Sequence, residues 1–284
     1  MAVSVAVLGY ASADHCVAVD ALPAPDATAI VRRRLSRPWP RLGGCGPQVA
    51  AHLAVAGVGA ACLTWVADDA VGRALLAQLE GSGADTSGVV VDGRRSPQSF
   101  IVYDAHGRAA CFFDPGDATA AWLSEGQRKR VAAVQLVCLT VAPAAATEAA
   151  LDAADADARV VWSVKADPDA YPPALVERLL DRADVVALSA GERAFLGGRT
   201  PRHDAIVIET HGARGVRWRH RGREGHHAVR RIAVHDTTGA GDALVAGVIA
   251  QLRRDADDVA AAVSAGIESS RALLERRGAE EEGA

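Results

Sequence analysis

The amino-acid sequence predicts an α/β protein: a mainly parallel sheet with helices on both faces, and a small β lid over its edge. Three observations carry this. Between residues 136 and 209, short apolar runs alternate with helical stretches, the pattern of βαβ units. Ser99–Tyr103 and Ala109–Phe113 are β-rich runs joined by Asp104-Ala105-His106-Gly107-Arg108, which reads as a hairpin. Residues 17–41 hold Pro23, Pro25, Pro38 and Pro40 with Arg32, Arg33, Arg34, Arg37 and Arg41, and read as an exposed excursion of edge strands. The hairpin and the excursion do not fit the parallel sheet. Residues 17–41 and 98–114 are therefore assigned to the lid, within one domain over residues 1–284.

The elements follow in order. Val3–Gly9 is apolar, short and closed by glycine, as a buried strand is. Gln48–Ala56 reads as a helix, Ala60–Val66 as a strand and Val71–Glu80 as a helix. After the hairpin come strands at Leu136–Thr140, Arg159–Ser163, Val185–Leu188 and Ala205–Glu209, separated by helices at 144–154, 173–181 and 190–196. Glu209–Val216 reads as a β-turn-β segment. The tail 279–284 reads as frayed.

Half of the 284 residues are hydrophobic but only 4% are aromatic, so alanine, valine and leucine must build the core. A net charge of −4 argues against bulk nucleic-acid binding. The six arginines and three histidines of Arg217–Arg231 alternate with Trp218, Ala228 and Val229, as on the wet face of edge strands. Five scattered cysteines, without a CxxC pair, fit a reducing compartment. Apolar stretches are broken by charge before membrane-spanning length, and no basic leader precedes the first strand. A cytoplasmic protein is expected. The histidines have no HxxxH spacing for zinc, and no GxxxxGK[ST] loop is present.

The chemistry concentrates in Asp236-Thr237-Thr238-Gly239-Ala240-Gly241-Asp242, which runs into an apolar helix. A helix start leaves about four amides without partners. Glycines let such amides converge, and the helix dipole adds positive charge, so residues 239–241 form an anion site, most naturally for phosphate. Asp242 is badly placed to bind that anion. It is well placed to take a proton from a hydroxyl that attacks it. Gly241 is expected at a special backbone angle. Read as a bare motif, the same stretch is a tight turn with a first-turn charge.

Four further stretches are notable. Gly9-Tyr10-Ala11-Ser12-Ala13-Asp14 follows the first strand, where a carboxylate can accept ligand hydroxyls or close a turn. Gly43-Gly44-Cys45-Gly46-Pro47-Gln48 is a glycine-rich helix entry. Ser189-Ala190-Gly191-Glu192 has the form of a capping box. Thr210-His211-Gly212-Ala213-Arg214-Gly215 is a glycine turn after a strand.

Taken together, these stretches resemble the ribokinase-like, or PfkB, family of carbohydrate kinases, and the likeness spans most of the chain. It implies a three-layer α/β/α sandwich and transfer of the γ-phosphate of ATP to a hydroxymethyl group of a sugar or sugar-like substrate. In that family the aspartate at the place of Asp242 is the catalytic base, and the three residues before it form the anion hole. The resemblance assigns Asp14, Gly43, Gly44 and Gln48 to the substrate. It assigns Thr210, Gly212, Gly215, Glu192 and Lys165 to the nucleotide, with Glu192 holding magnesium through water. Asp236 and Thr238 are expected to seat a monovalent cation such as K⁺, as in some relatives, or to cap the loop. Cys45 and Gln48 stand where ribokinase-type members often have lysine and asparagine, which sets ribose itself in question, and Ser189 replaces the asparagine of NxxE. A nucleoside kinase and a binder without turnover remain the alternatives. Lid strands in relatives often pair between subunits, which implies a homodimer; arginines and prolines on the lid edge point to a monomer.

Overall fold

The computed structural model describes residues 2–35, 38–117 and 122–282. Its first half contains β1 (Val5–Leu8), β2 (Ser12–Ala18), β3 (Arg33–Arg34), β4 (Arg41–Gly43), α1 (Cys45–Val55), β5 (Ala60–Val66), α2 (Ala70–Gly81), β6 (Val89–Val91), β7 (Gln98–Tyr103) and β8 (Ala109–Asp114). There follow α3 (Glu125–Ala132), β9 (Leu136–Leu139), α4 (Ala144–Ala153), β10 (Arg159–Ser163), α5 (Pro173–Arg182) and β11 (Val185–Ser189). The chain closes with β12 (Ile206–Thr210), β13 (Val216–His220), β14 (Arg223–His227), α6 (Ala240–Leu252) and α7 (Val259–Glu282).

Nine strands form one sheet in the order β14-β13-β12-β11-β10-β9-β1-β5-β6. All are parallel from β12 to β6, and β13 and β14 add an antiparallel edge. Alternation along β1 divides the core. Val5 and Val7 pack with α1, α2, α6 and α7 on one face. Ala6 and Leu8 pack with α3, α4 and α5 on the other. Parallel strands buried on both faces read as continuous apolar runs, as β1, β5 and β9 do. The three-layer α/β/α sandwich is thus the architecture.

The second sheet is the lid, in the order β3-β2-β7-β8 with β4 also on β2. The hairpin β7–β8 matches the expected one. The lid starts earlier than residue 17, because β2 begins at Ser12, and Asp14 lies inside this strand rather than in a turn. Arg37 lies outside the described residues.

Three elements differ from expectation. α1 begins at Cys45, because Gly44 at φ 84° turns the chain and Pro47 falls in the first turn, where no amide partner is lost. In place of a helix over 190–196 there is one 3₁₀ turn, Arg193–Leu196, stopped by Gly197 in the left-handed region. The tail is helical through Glu282, since the Glu281 carboxylate accepts the His235 and Asp236 N–H groups at 3.0–3.2 Å. Gly283 and Ala284 lie outside the described residues.

Candidate active site

Three neighbouring parallel strands end on one rim. Lys165 follows β10, Glu192 follows β11, and Thr210 ends β12 just before Gly212 and Gly215. Open α/β sheets bind ligands outside such carboxyl ends. α6 starts beside the rim. Asp242, in its first turn, is 7% exposed and lies within electrostatic reach of Lys165, Cys45 and Glu192.

Gly239 precedes α6 at φ 85°, in the region that favours glycine, and offers no side-chain cap. The Ala240 N–H is tied to the Thr237 carbonyl at 3.2 Å. The N–H groups of Gly239, Gly241 and Asp242 have no acceptor among the described residues. The open amides are therefore 239, 241 and 242 rather than 239–241. Gly241 has no positive φ, contrary to expectation, and a Cβ added there would meet nothing within 4 Å. The special backbone angle belongs to Gly239, and open space lies in front of Gly241.

Burial pushes the Asp242 carboxyl above the usual carboxylate range, against the pull of the Lys165 ammonium and the Cys45 thiol. Burial, then Asp242, also raises the Cys45 thiol, so this residue is a neutral neighbour of the carboxylate. Lys165 is raised by Cys45, at the high pH where that thiol ionises, and by Asp242 and Glu192; it stays charged, with its Nζ 3.7 Å from Glu192 Oε1. Glu192 Oε2 accepts the Ser189 N–H at 2.7 Å. That contact is half of a capping box, and the second oxygen remains on the rim. Two carboxylates here are too few for an all-protein magnesium cage, but they suit a magnesium ion that arrives on a phosphate. Among the described residues, no group of three or more His, Cys, Asp or Glu is placed to hold a metal ion.

Asp14 is 3% exposed on the inner face of the lid. It accepts from the Ser12 hydroxyl, which in turn accepts from Ser99 at 3.0 Å. Burial raises its carboxyl, against the pull of Ser12 and Arg41. Gly43 is required by close approach: a Cβ there would lie 2.0–2.2 Å from all three carboxylate atoms of Asp14. Gln48 departs from its assigned role. Its Nε2 donates to the Leu42 carbonyl at 2.5 Å, and it lines a recess with His52, Leu273 and Arg276 under α7. Thr210, Gly212 and Gly215 sit on the rim without touching the Asp242 cluster; the Thr210 carbonyl accepts the Ala190 N–H at 2.9 Å.

Asp236 is fully buried and engaged on both oxygens. Oδ2 accepts from Arg41, with Arg277 Nε at 3.9 Å. Oδ1 accepts from the Thr238 N–H at 3.0 Å and the Tyr103 hydroxyl at 3.2 Å. Burial pushes this carboxyl up, but Arg41 and Arg277 outweigh it and hold it below the usual range. A monovalent cation at Asp236 would meet two guanidinium groups, so these residues do not fit one.

Sequence reasoning missed this cluster and the aromatic wall of the lid. Asp14, Ser99 and Phe113 stand in register across β2, β7 and β8, and the Phe113 ring lies 5.3 Å from that of Tyr10. The only available signal was the alternation along β7 and β8, which places Phe113 on the same face as Ser99.

A large parallel sheet with a small lid at its carboxyl rim is the architecture of the ribokinase-like kinases. The family model described as pfkB family carbohydrate kinase matches residues 3–282, and the chain belongs to that family. It is 29% identical over 241 residues to a fructokinase of Rhizobium leguminosarum bv. trifolii, covering 76% of this chain and 73% of the relative. An ATP-dependent ribose-1-phosphate kinase of Halopiger xanaduensis is 29% identical over 265 residues, 88% of this chain and 84% of the relative. The ribokinase of Arabidopsis thaliana, solved with ribose and ATP, superposes with a TM-score of 0.76 at 20% identity, covering 97% of this chain and 93% of the other. Among the described residues, no helix is long and apolar enough to cross a membrane.

Proposed function

We propose that this carbohydrate kinase transfers the γ-phosphate of ATP to a hydroxymethyl group of a sugar or sugar-like substrate, with Asp242 as general base. The observation that carries this reading is the buried Asp242 carboxylate beside open amides and Lys165. A carboxylate raised by burial holds a proton more strongly than an exposed aspartate, which suits a general base. Asp242 takes the hydroxyl proton, the oxygen attacks the γ-phosphorus in line, and ADP leaves on the far side. The transition state spreads charge over the phosphoryl oxygens, where positioning and fixed donors do most of the work. The amides of Gly239, Gly241 and Asp242 are those donors. Magnesium bound with the nucleotide supplies charge neutralisation, and Glu192 would hold it through water while Lys165 faces phosphate. Asp14 accepts the substrate hydroxyls. Gln48 supports the loop instead of touching substrate.

One observation favours a second reading, a nucleoside acceptor: the Tyr10–Phe113 pair gives the space beside Asp14 an apolar wall on which a flat base would stack. The register pair Phe100 and Phe112, 46% and 65% exposed on the outer lid face, supports a homodimer through the lid. The test is a phosphorylation screen with magnesium-ATP over fructose, ribose, ribose 1-phosphate and nucleosides, for wild type and Asp242→Asn. We expect turnover on one class and a loss of roughly 10²–10⁴ in kcat for the variant, the scale of a positioned general base. Near-normal turnover in the variant would remove the base assignment; no phosphorylation of any acceptor would leave the binder reading.

A further inference from the structure

The carboxylate expected to hold a cation carries its own. Asp236 has no exposed surface, and the Arg41 guanidinium bound to it is 4% exposed, so the pair is sealed from solvent. Asp236 also accepts the Thr238 N–H, one residue before Gly239, so the orientation of this carboxylate sets the path of the loop into its left-handed glycine. Arg41 lies on β4 and Tyr103 ends β7, both strands of the lid. Across β2 and β4, Arg41 stands in register with Asp14, whose acidity it also shifts. The Arg41 Nε and Nη2 groups are buried without an acceptor among the described residues, so Asp236 is the one carboxylate hydrogen-bonded to it there, and Asp14 acts on its charge only at a distance.

We propose that Arg41 is a built-in replacement for a monovalent cation: a positioning residue that fixes the anion loop, ties it to the lid, and lets phosphoryl transfer proceed without K⁺ or Na⁺. The inference rests on the kinase reading above. The physical reason is reach. A mobile ion can hold the Asp236 loop but cannot connect it to another strand. A guanidinium on β4 does both, because its charge meets Asp236 while its backbone is paired with the strand of Asp14. Arg277, behind the same carboxylate, completes the exclusion: an entering cation would have to displace one guanidinium and sit against the other.

The test compares wild-type protein with magnesium-ATP in potassium chloride and in N-methylglucamine chloride at equal ionic strength, reading both kcat and thermal melting. Both should agree between the salts, kcat within about twofold, since only general screening remains. Arg41→Met should lower kcat about tenfold or more with a smaller change in the KM for ATP, and Arg41→Lys, which keeps the charge, should recover part of that loss. A K⁺-specific rise in wild-type kcat or melting temperature would overturn the proposal. So would a folded Arg41→Met protein with wild-type kcat. If that variant does not fold, the wild-type salt comparison and Arg41→Lys decide. If no acceptor is phosphorylated in either salt, the kinase reading fails, and the melting comparison still decides the cation question.

Discussion

Gly43→Ala tests whether Asp14 is held for substrate. A Cβ at residue 43 would lie 2.0 Å from Asp14 Oδ1, 2.1 Å from Cγ and 2.2 Å from Oδ2. To reach ordinary contact the whole carboxylate must move by about 1.4 Å, and a displacement of about 1 Å in a positioning group costs on the order of 10² in rate. That is about 2.7 kcal/mol of transition-state stabilisation. The movement also parts Asp14 from the Ser12 hydroxyl inside the protein, worth about 1–3 kcal/mol of stability. Steady-state kinetics with each substrate varied in turn should show kcat/KM for the acceptor falling about 10²-fold, with the KM for ATP nearly unchanged. Gly81→Ala is the control: a Cβ there meets nothing within 4 Å, so kinetics should not change. Wild-type acceptor kinetics in Gly43→Ala would refute the assignment of Asp14. Equal losses for both substrates would place the damage in the loop before α1.

The remaining predictions address the anion loop and its supports. Burial raises the folded-state pKa of Asp242 above its unfolded value near 3.8, so its contribution to stability is complete below that value and is lost as pH rises through the folded one. Asp242→Asn should therefore melt higher than wild type near pH 8, with the gap closing towards about pH 4; a wild type that melts higher at pH 8 contradicts this. Gly239→Ala should cost stability of about 1 kcal/mol or more through its φ of 85°, whereas Gly241→Ala should fold normally but lose kcat, because its methyl enters the space proposed for phosphate. Equal melting temperatures for the two variants would count against this reading of the loop. Glu281→Gln removes a buried charged acceptor from the His235 and Asp236 amides and should lower stability by about 1–3 kcal/mol in urea melts.

What could be read from the sequence was what has a local signal. The parallel strands are apolar runs with charged or glycine ends, and the lid hairpin is two β-rich runs across a polar turn. The anion loop is one contiguous stretch. Lys165, Glu192 and Thr210 were assigned through the family resemblance alone; in the fold each follows or ends a parallel strand, on one rim. Gln48 was misassigned because sequence fixes its position on α1 but not which way its amide turns. The 3₁₀ turn at Arg193–Leu196 was misjudged because Gly197 stops it before an α-helix can propagate. Arg41 sat in an arginine- and proline-rich excursion whose other charges, among the described residues, are largely exposed, and nothing local marks it as buried.

The two aspartates of the anion loop make the general point. Asp236 and Asp242 flank the same five residues, and either could be written as a base, an ion ligand or a cap. Their environments push them in opposite directions. Two guanidiniums, from β4 and from α7, hold Asp236 ionised and fully occupied. Asp242 is buried with an ammonium in electrostatic reach but no ion pair within 4 Å among the described residues, and its proton affinity rises. Divergence of this kind between neighbouring carboxylates is what separates a structural acid from one free to exchange protons. It depends on residues 41, 103, 165 and 277, which only the fold brings together. If Arg41 is the fixed cation of this loop, it is also what reserves proton transfer for Asp242: without it, Asp236 would be a second buried carboxylate seeking a proton beside the phosphate site.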